Sequence, residues 1–226
     1  MKDDTMTQYR PTTVNTDRPD PRIAVRDIDS EAELHQFVRW AAMSGVGDPD
    51  FLVEYLLGFH QDGLLGSDLV TTRATLRRTL DSHGVPAAAA TRTSASVAVV
   101  DGQLAGGILS GPTLWLLTRV IATSPDHLLL ALLRTSEIQV LAVDEQHRRT
   151  GAGAALVNSA IRSSRALKAH VLYGQFPNTP RLLSFYHGCG LTVHTPGAAI
   201  DFGKLAGIDL TINTSSEDRF FTHNLR

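Results

Sequence analysis

The stretch VLAVDEQHRRTGAGAAL occupies residues 140–156. An apolar run ends at Val143. The segment from Asp144 to Thr150 carries two adjacent arginines, and two glycines then flank an alanine before a helical pattern begins. A helix start presents unpaired backbone N–H groups and the positive end of the helix dipole. Residues without bulk let an anion come close to that backbone. Gly151, Ala152, Gly153 and Ala154 meet this need, and Arg148 and Arg149 add positive charge, so the pattern suits a diphosphate. A plain tight turn would use the same glycines, and a lone G-x-G does not separate the two readings. The strand before it, the arginines and the periodic helix after it favour the anion site.

Two familiar phosphate motifs do not fit. A P-loop needs Gly-Lys-Ser/Thr after its glycines, and none is present. A Rossmann turn places its glycines directly after the strand and an acidic residue about twenty positions on. Here Asp144 to Thr150 intervene, and Lys168 to Leu172 stand where the acid belongs.

Working outward, EIQVLAV (137–143) reads as a strand and 151–167 as a helix. Leu156, Val157, Ala160 and Ile161 form its inward stripe, with Arg162, Ser163 and Arg165 toward water. AHVLYGQF (169–176) is a further strand, and TPRLLSFYHGCG (179–190) a short helix ending near Gly188 or Gly190. LTVHT and part of 199–213 supply late strands. Upstream, RIAVRDI (22–28) alternates as a strand. Ser30 and Glu33 then have capping-box spacing before a helix whose inward stripe is Val38, Ala41 and Ala42. Residues 50–83 read as two helical pieces broken near Gly63 and Gly66. Residues 94–111 read as a hairpin turning at Asp101-Gly102, and 112–134 as two apolar helices divided by TSPDH. The expected architecture is a mixed-sheet α/β (α+β) domain spanning 21–226, preceded by a polar, proline-bearing flexible tail at 1–20.

The chain has 226 residues, 42% of them apolar, and a formal charge of -2. That charge gives no overall basic field to recruit nucleic acid or acidic lipid. The single cysteine, Cys189, permits no intramolecular disulfide, which fits a reducing, cytoplasmic setting. The nine histidines show no metal-binding spacing, so no metal is expected. No apolar run approaches the ~20 residues of a membrane helix, so no membrane partner is expected.

Residues 143–153, V-D-E-Q-H-R-R-T-G-A-G, resemble the acetyl-CoA signature of the GNAT superfamily of N-acetyltransferases, with Arg148, Gly151 and Gly153 on its Gln/Arg-x-x-Gly-x-Gly/Ala core. SFYHGCGL (184–191) resembles the family's second signature, an aromatic-Tyr pair closing a helix before a glycine and a strand. The resemblance spans 137–195. It implies a mostly antiparallel sheet flanked by helices, with its fourth and fifth strands splayed apart and acetyl-CoA lying in the gap as cosubstrate. Residues 50–84 and 112–134 would be helical insertions on that fold.

The resemblance also implies roles. Val143 would pair with pantetheine through its backbone, Leu141 would offer its N–H to the thioester carbonyl, and the amides of Arg149, Thr150, Gly151, Ala152, Gly153 and Ala154 would hold the pyrophosphate. Asn178 would touch pantetheine. Tyr186 would be the proton donor to the leaving thiolate. Glu137, six residues before Val143, would be the base, which matters because an amine of pKa ~10.4 is only ~0.04% neutral at pH 7, a handicap of roughly 4.6 kcal/mol. One geometric difficulty stands: Glu137 and Leu141 are about 13 Å apart along a straight strand, so direct action needs a bend or a relaying water. Acetyl would pass directly to a primary amine, small-molecule or protein, in a ternary complex. A non-catalytic acyl-CoA sensor or scaffold is the alternative, and dimerisation is left open.

Overall fold

The computed structural model describes residues 22–67 and 73–226. The expected tail at 1–20 lies outside them, as does 68–72 of the second expected helical piece. Strands β1 (Ile23–Asp27), β2 (Ser94–Val100), β3 (Gln103–Gly111), β4 (Thr135–Val143), β5 (Val171–Pro177), β6 (Thr192–Val193) and β9 (Asp218–Asn224) form one sheet in the order β1-β2-β3-β4-β5-β9-β6. Its pairings are antiparallel except the parallel contact of β4 with β5. Short strands β7 (Ala199–Asp201) and β8 (Thr211–Asn213) pair only with each other. The late strands expected within 199–213 therefore stand outside the main sheet. Its missing member is β9, which the alternation rule passes over because the adjacent Phe220 and Phe221 are both buried, on opposite faces.

Helices cover both faces. On one, α1 (Glu31–Met43) and α2 (Pro49–Gln61) seal β2, β3 and β4 through Leu34, Phe37 and Trp40 against Val97, Leu109 and Val140. Gly107 is glycine for this reason: a β-carbon there would stand 2.4 Å from the Trp40 ring. The inward stripe of α1 is thus Leu34, Phe37, Trp40 and Ala41, while Ala42 is exposed and Val38 half-buried. Its expected capping box is not formed. Ser30 makes no side-chain cap, and Glu33 is taken by Arg26 at 2.8 Å and by the Asp29 N–H at 3.0 Å.

The opposite face carries α6 (Ala152–Ala166) and α7 (Pro180–Gly188), with Leu156, Val157, Ala160 and Ile161 buried as expected. Ser163 is half-buried rather than turned to water. Beyond β4, helices α3 (Arg73–Thr91), α4 (Leu114–Thr123), α5 (Leu128–Arg134) and α8 (Phe202–Ala206) enclose Tyr173 and Phe220. α3 runs past the expected end and is bent at Gly84, whose φ of 81° only glycine adopts readily. Buried Arg92 ties this region together by donating to the carbonyls of Leu132, Leu133 and Leu167 at 2.9, 3.2 and 2.7 Å, at the ends of α5 and α6.

Two features of β4 prepare the site. It pairs with β5 only over Thr135–Glu137, and the strands then part. Against β3, Leu109 faces Val140 but Ser110 faces Ile138, so Gln139 is an unpaired bulge residue. A bulge shifts the side-chain alternation. Ile138 accordingly packs toward α6, whereas Val140 packs toward α1.

Candidate active site

The parting of β4 from β5 opens a cavity of about 580 Å³. Leu141, Val143, Arg148, Arg149, Gly151, Gly153, Ala154 and Tyr186 all line it. Its end beside the start of α6 is shaped by backbone conformation. Arg149 (φ 64°) and Gly151 (φ 100°) both adopt the left-handed region, which turns successive amides toward one side. Gly151 caps α6 and has no side chain to bond the first-turn amides. A β-carbon on Gly153 would press on the Phe185 ring at 3.2 Å, so the close approach of α6 to α7 depends on that glycine. Among the described residues, three arginines, 148, 149 and 181, line the cavity, and no carboxylate does.

The remaining expected residues sit as follows. Ala152 is buried, with its N–H 3.4 Å from the Thr150 hydroxyl, and that hydroxyl donates to the His147 carbonyl at 2.8 Å. Neither residue lines the cavity. Asn178 does not either, because its carboxamide oxygen accepts from Arg219 at 2.6 Å on another side. The Leu141 N–H is already engaged. It donates to the Ser44 hydroxyl at 3.2 Å, and that hydroxyl lies 3.1 Å from the Leu141 carbonyl and 2.8 Å from that of Trp40. Sequence reasoning missed Met43, Ser44 and Arg181. Ser44 closes α1 and Arg181 opens α7, positions that hydrophobic periodicity does not mark.

Tyr186 is buried within an aromatic stack, its ring 4.5 Å from both Phe176 and Phe221. Burial pushes its phenol above the ordinary tyrosine value, so it stays protonated and able to donate. Cys189 is pushed up to about 11 by burial, which removes it as a thiolate nucleophile.

Glu137 lies on the other side of the sheet, in a second cavity of about 380 Å³ walled by α2 and α4. Its carboxylate accepts from the Trp115 indole at 2.7 Å and the Thr113 hydroxyl at 2.8 Å, and Thr113 lies 3.3 Å from the Tyr173 hydroxyl. Burial raises the carboxyl to about 7, with these hydrogen bonds pulling the other way. A carboxylate balanced there suits a general base near neutral pH.

Residues 73–191, more than half of the chain, match the family model described as the acetyltransferase (GNAT) family. The chain belongs to the GNAT acetyltransferase family. It is thereby an acyltransferase. Solved structures agree in fold. The Salmonella typhimurium yncA structure, determined with its cofactor acetyl-CoA, matches at TM-score 0.52 and 15% identity, over 91% of this chain and 95% of that one. The ribosomal-protein-alanine N-acetyltransferase of Brucella melitensis matches at 0.51 and 16%, over 89% and 99%. A GNAT-family protein of Desulfovibrio desulfuricans matches at 0.50 and 16%, over 90% and 99%. No curated protein sequence matches the chain significantly. Among the described residues no helix is long and apolar enough to cross a membrane, and no cluster of metal-ligating side chains occurs. The GNAT splay between the fourth and fifth strands is the gap seen here beyond Glu137.

Proposed function

We propose that this GNAT protein transfers acetyl from acetyl-CoA directly to a primary amine, the two substrates meeting through the gap beside β4. The observation that carries this is the placement of a carboxylate of raised pKa, Glu137, on one side of a bulged strand whose next residues line an arginine-rimmed cavity on the other. The residues fit acetyl-CoA: a cationic, carboxylate-free end for its phosphates and an apolar wall of Leu141, Val143, Leu182 and Phe185 for its arm. We read 21–226 as one acyltransferase domain, with α2, α3, α4 and α5 as helical additions, of which α2 and α4 wall the second cavity.

Acetyl-CoA supplies an activated thioester carbonyl. Glu137 takes a proton from the amine as the N–C bond forms and the C–S bond breaks. Tyr186 gives its proton to the departing thiolate and is reprotonated from solvent. The amides of Gly151, Gly153 and Ala154 and the side chains of Arg148, Arg149 and Arg181 hold the phosphates. The Leu141 N–H stabilises the carbonyl oxygen as charge develops, once Ser44 yields it. The test is release of free thiol from acetyl-CoA in the presence of amines. Amine-dependent release from the wild type, lost in Glu137→Gln, supports the reading. Acetyl-CoA binding without release on any amine would reduce the protein to a binding module.

A further inference from the structure

The second cavity carries a chemistry of its own. Two charged side chains line it, Asp48 and Glu137, and both are acidic; among the described residues no lysine, arginine or histidine does. Its walls are apolar and aromatic: Phe51, Leu52, Tyr55 and Trp115. Several polar groups of the lining are already partnered within the protein, and Gln139 adds a carboxamide to it. The Trp115 indole and Thr113 hydroxyl donate to Glu137, and the Tyr55 hydroxyl donates to the Pro86 carbonyl at 3.0 Å. Arg119 lies 5.8 Å from the centroid of the Trp115 ring but outside the cavity wall. Phe51, at the start of α2, is 63% exposed, an aromatic ring that the core does not use.

Resting on the reading of this cavity as the acceptor site, we infer that the acceptor is a small primary amine on an apolar, aromatic-sized stem, with no carboxylate beside the amine. The volume, about 380 Å³, lies toward the low end of the ~300–1,000 Å³ of small-molecule sites. The acids attract an ammonium group, and the rings take its stem. An α-amino acid would bring a carboxylate against Asp48 and Glu137 with no cation to pair it, and like charges held together cost several kcal/mol. A polyhydroxylated amine would lose its hydration to walls that are mainly apolar.

The experiment uses the full chain and acetyl-CoA, with thiol release followed on 2-phenylethylamine, phenylalanine, spermidine, kanamycin and a phenylalanine-initiated tripeptide amide. The expected result is a kcat/KM for 2-phenylethylamine about 100-fold or more above that for phenylalanine, which differs only by the carboxylate. Phe51→Ala, at an exposed position, should raise the KM for 2-phenylethylamine about tenfold and leave that for acetyl-CoA unchanged. Higher efficiency on phenylalanine, spermidine, kanamycin or the tripeptide overturns the acceptor class and leaves acyl transfer standing. No turnover on any of them, with acetyl-CoA still binding in calorimetry, also overturns it. Loss of acetyl-CoA binding as well overturns the reading beneath it.

Discussion

Glu137 and Leu141 stand four residues apart on one strand and face opposite sides of the sheet. The unpaired Gln139 between them reverses the alternation, so that Glu137 reaches the cavity under α2 and α4 while Leu141 reaches the one beside α6 and α7. In the proposed reaction the base and the carbonyl-binding amide act from the two faces of β4.

Tyr186→Phe preserves the stacked ring against Phe176 and Phe221 and removes only the hydroxyl. Turnover should fall by ~10²–10⁴ with acetyl-CoA affinity nearly unchanged. Steady-state kinetics with calorimetric binding checks this, and an unaltered kcat removes the phenol from proton transfer.

Ser44 holds the Leu141 N–H, the amide we propose for the thioester oxygen. Ser44→Ala removes this competitor, so the KM for acetyl-CoA should drop about two- to fivefold, the size of one modest hydrogen bond. A rise in KM would mean instead that the hydroxyl itself contacts the acyl group.

Arg181 contributes charge to the lining of the cavity we propose for acetyl-CoA. Arg181→Ala should weaken acetyl-CoA binding about tenfold at low ionic strength, and the difference should shrink as salt is raised. A salt-independent loss would point to packing rather than charge.

Arg92→Met would leave the carbonyls of Leu132, Leu133 and Leu167 without the guanidinium that now donates to them. The expected loss of stability is about 2–5 kcal/mol, read as a lowered thermal midpoint. An unchanged midpoint would show that these carbonyls find water.

Much of this arrangement was legible in the sequence, for local reasons. Asp101 and Gly102 turn the β2–β3 hairpin with φ of 49° and 82°, the left-handed pair that such a dipeptide favours. The glycines after Arg149 mark the loop that opens α6, because Gly151 takes a positive φ and Gly153 stands against the Phe185 ring. The splay of β4 from β5 followed from the family resemblance rather than from any local pattern. What was not legible is set by tertiary contact. Gln139 carries no sign of being a bulge residue, since register belongs to the pair of strands. β9 lacks alternation because both its faces are covered. Trp115 and Thr113 reach Glu137 from α4 and the turn before it, across more than twenty residues of sequence. Asn178, chosen by its place before the tyrosine helix, is drawn away by Arg219 from β9, the strand that went unread.

The role of Glu137 is tested most directly by kcat/KM for the amine as a function of pH, in the wild type and in Glu137→Gln. Glu137 must be ionised to accept a proton, so wild-type activity should rise with pH through about 7, below the separate rise from the amine's own ionisation. The same raised carboxyl favours the folded state when protonated, so stability should decline as pH climbs from about 4.5 through about 7. In the variant the limb near 7 and this decline should both vanish, and activity should fall by ~10²–10⁴. A variant that keeps the limb near 7, or turns over within about threefold of the wild type, would contradict the assignment of Glu137 as the base.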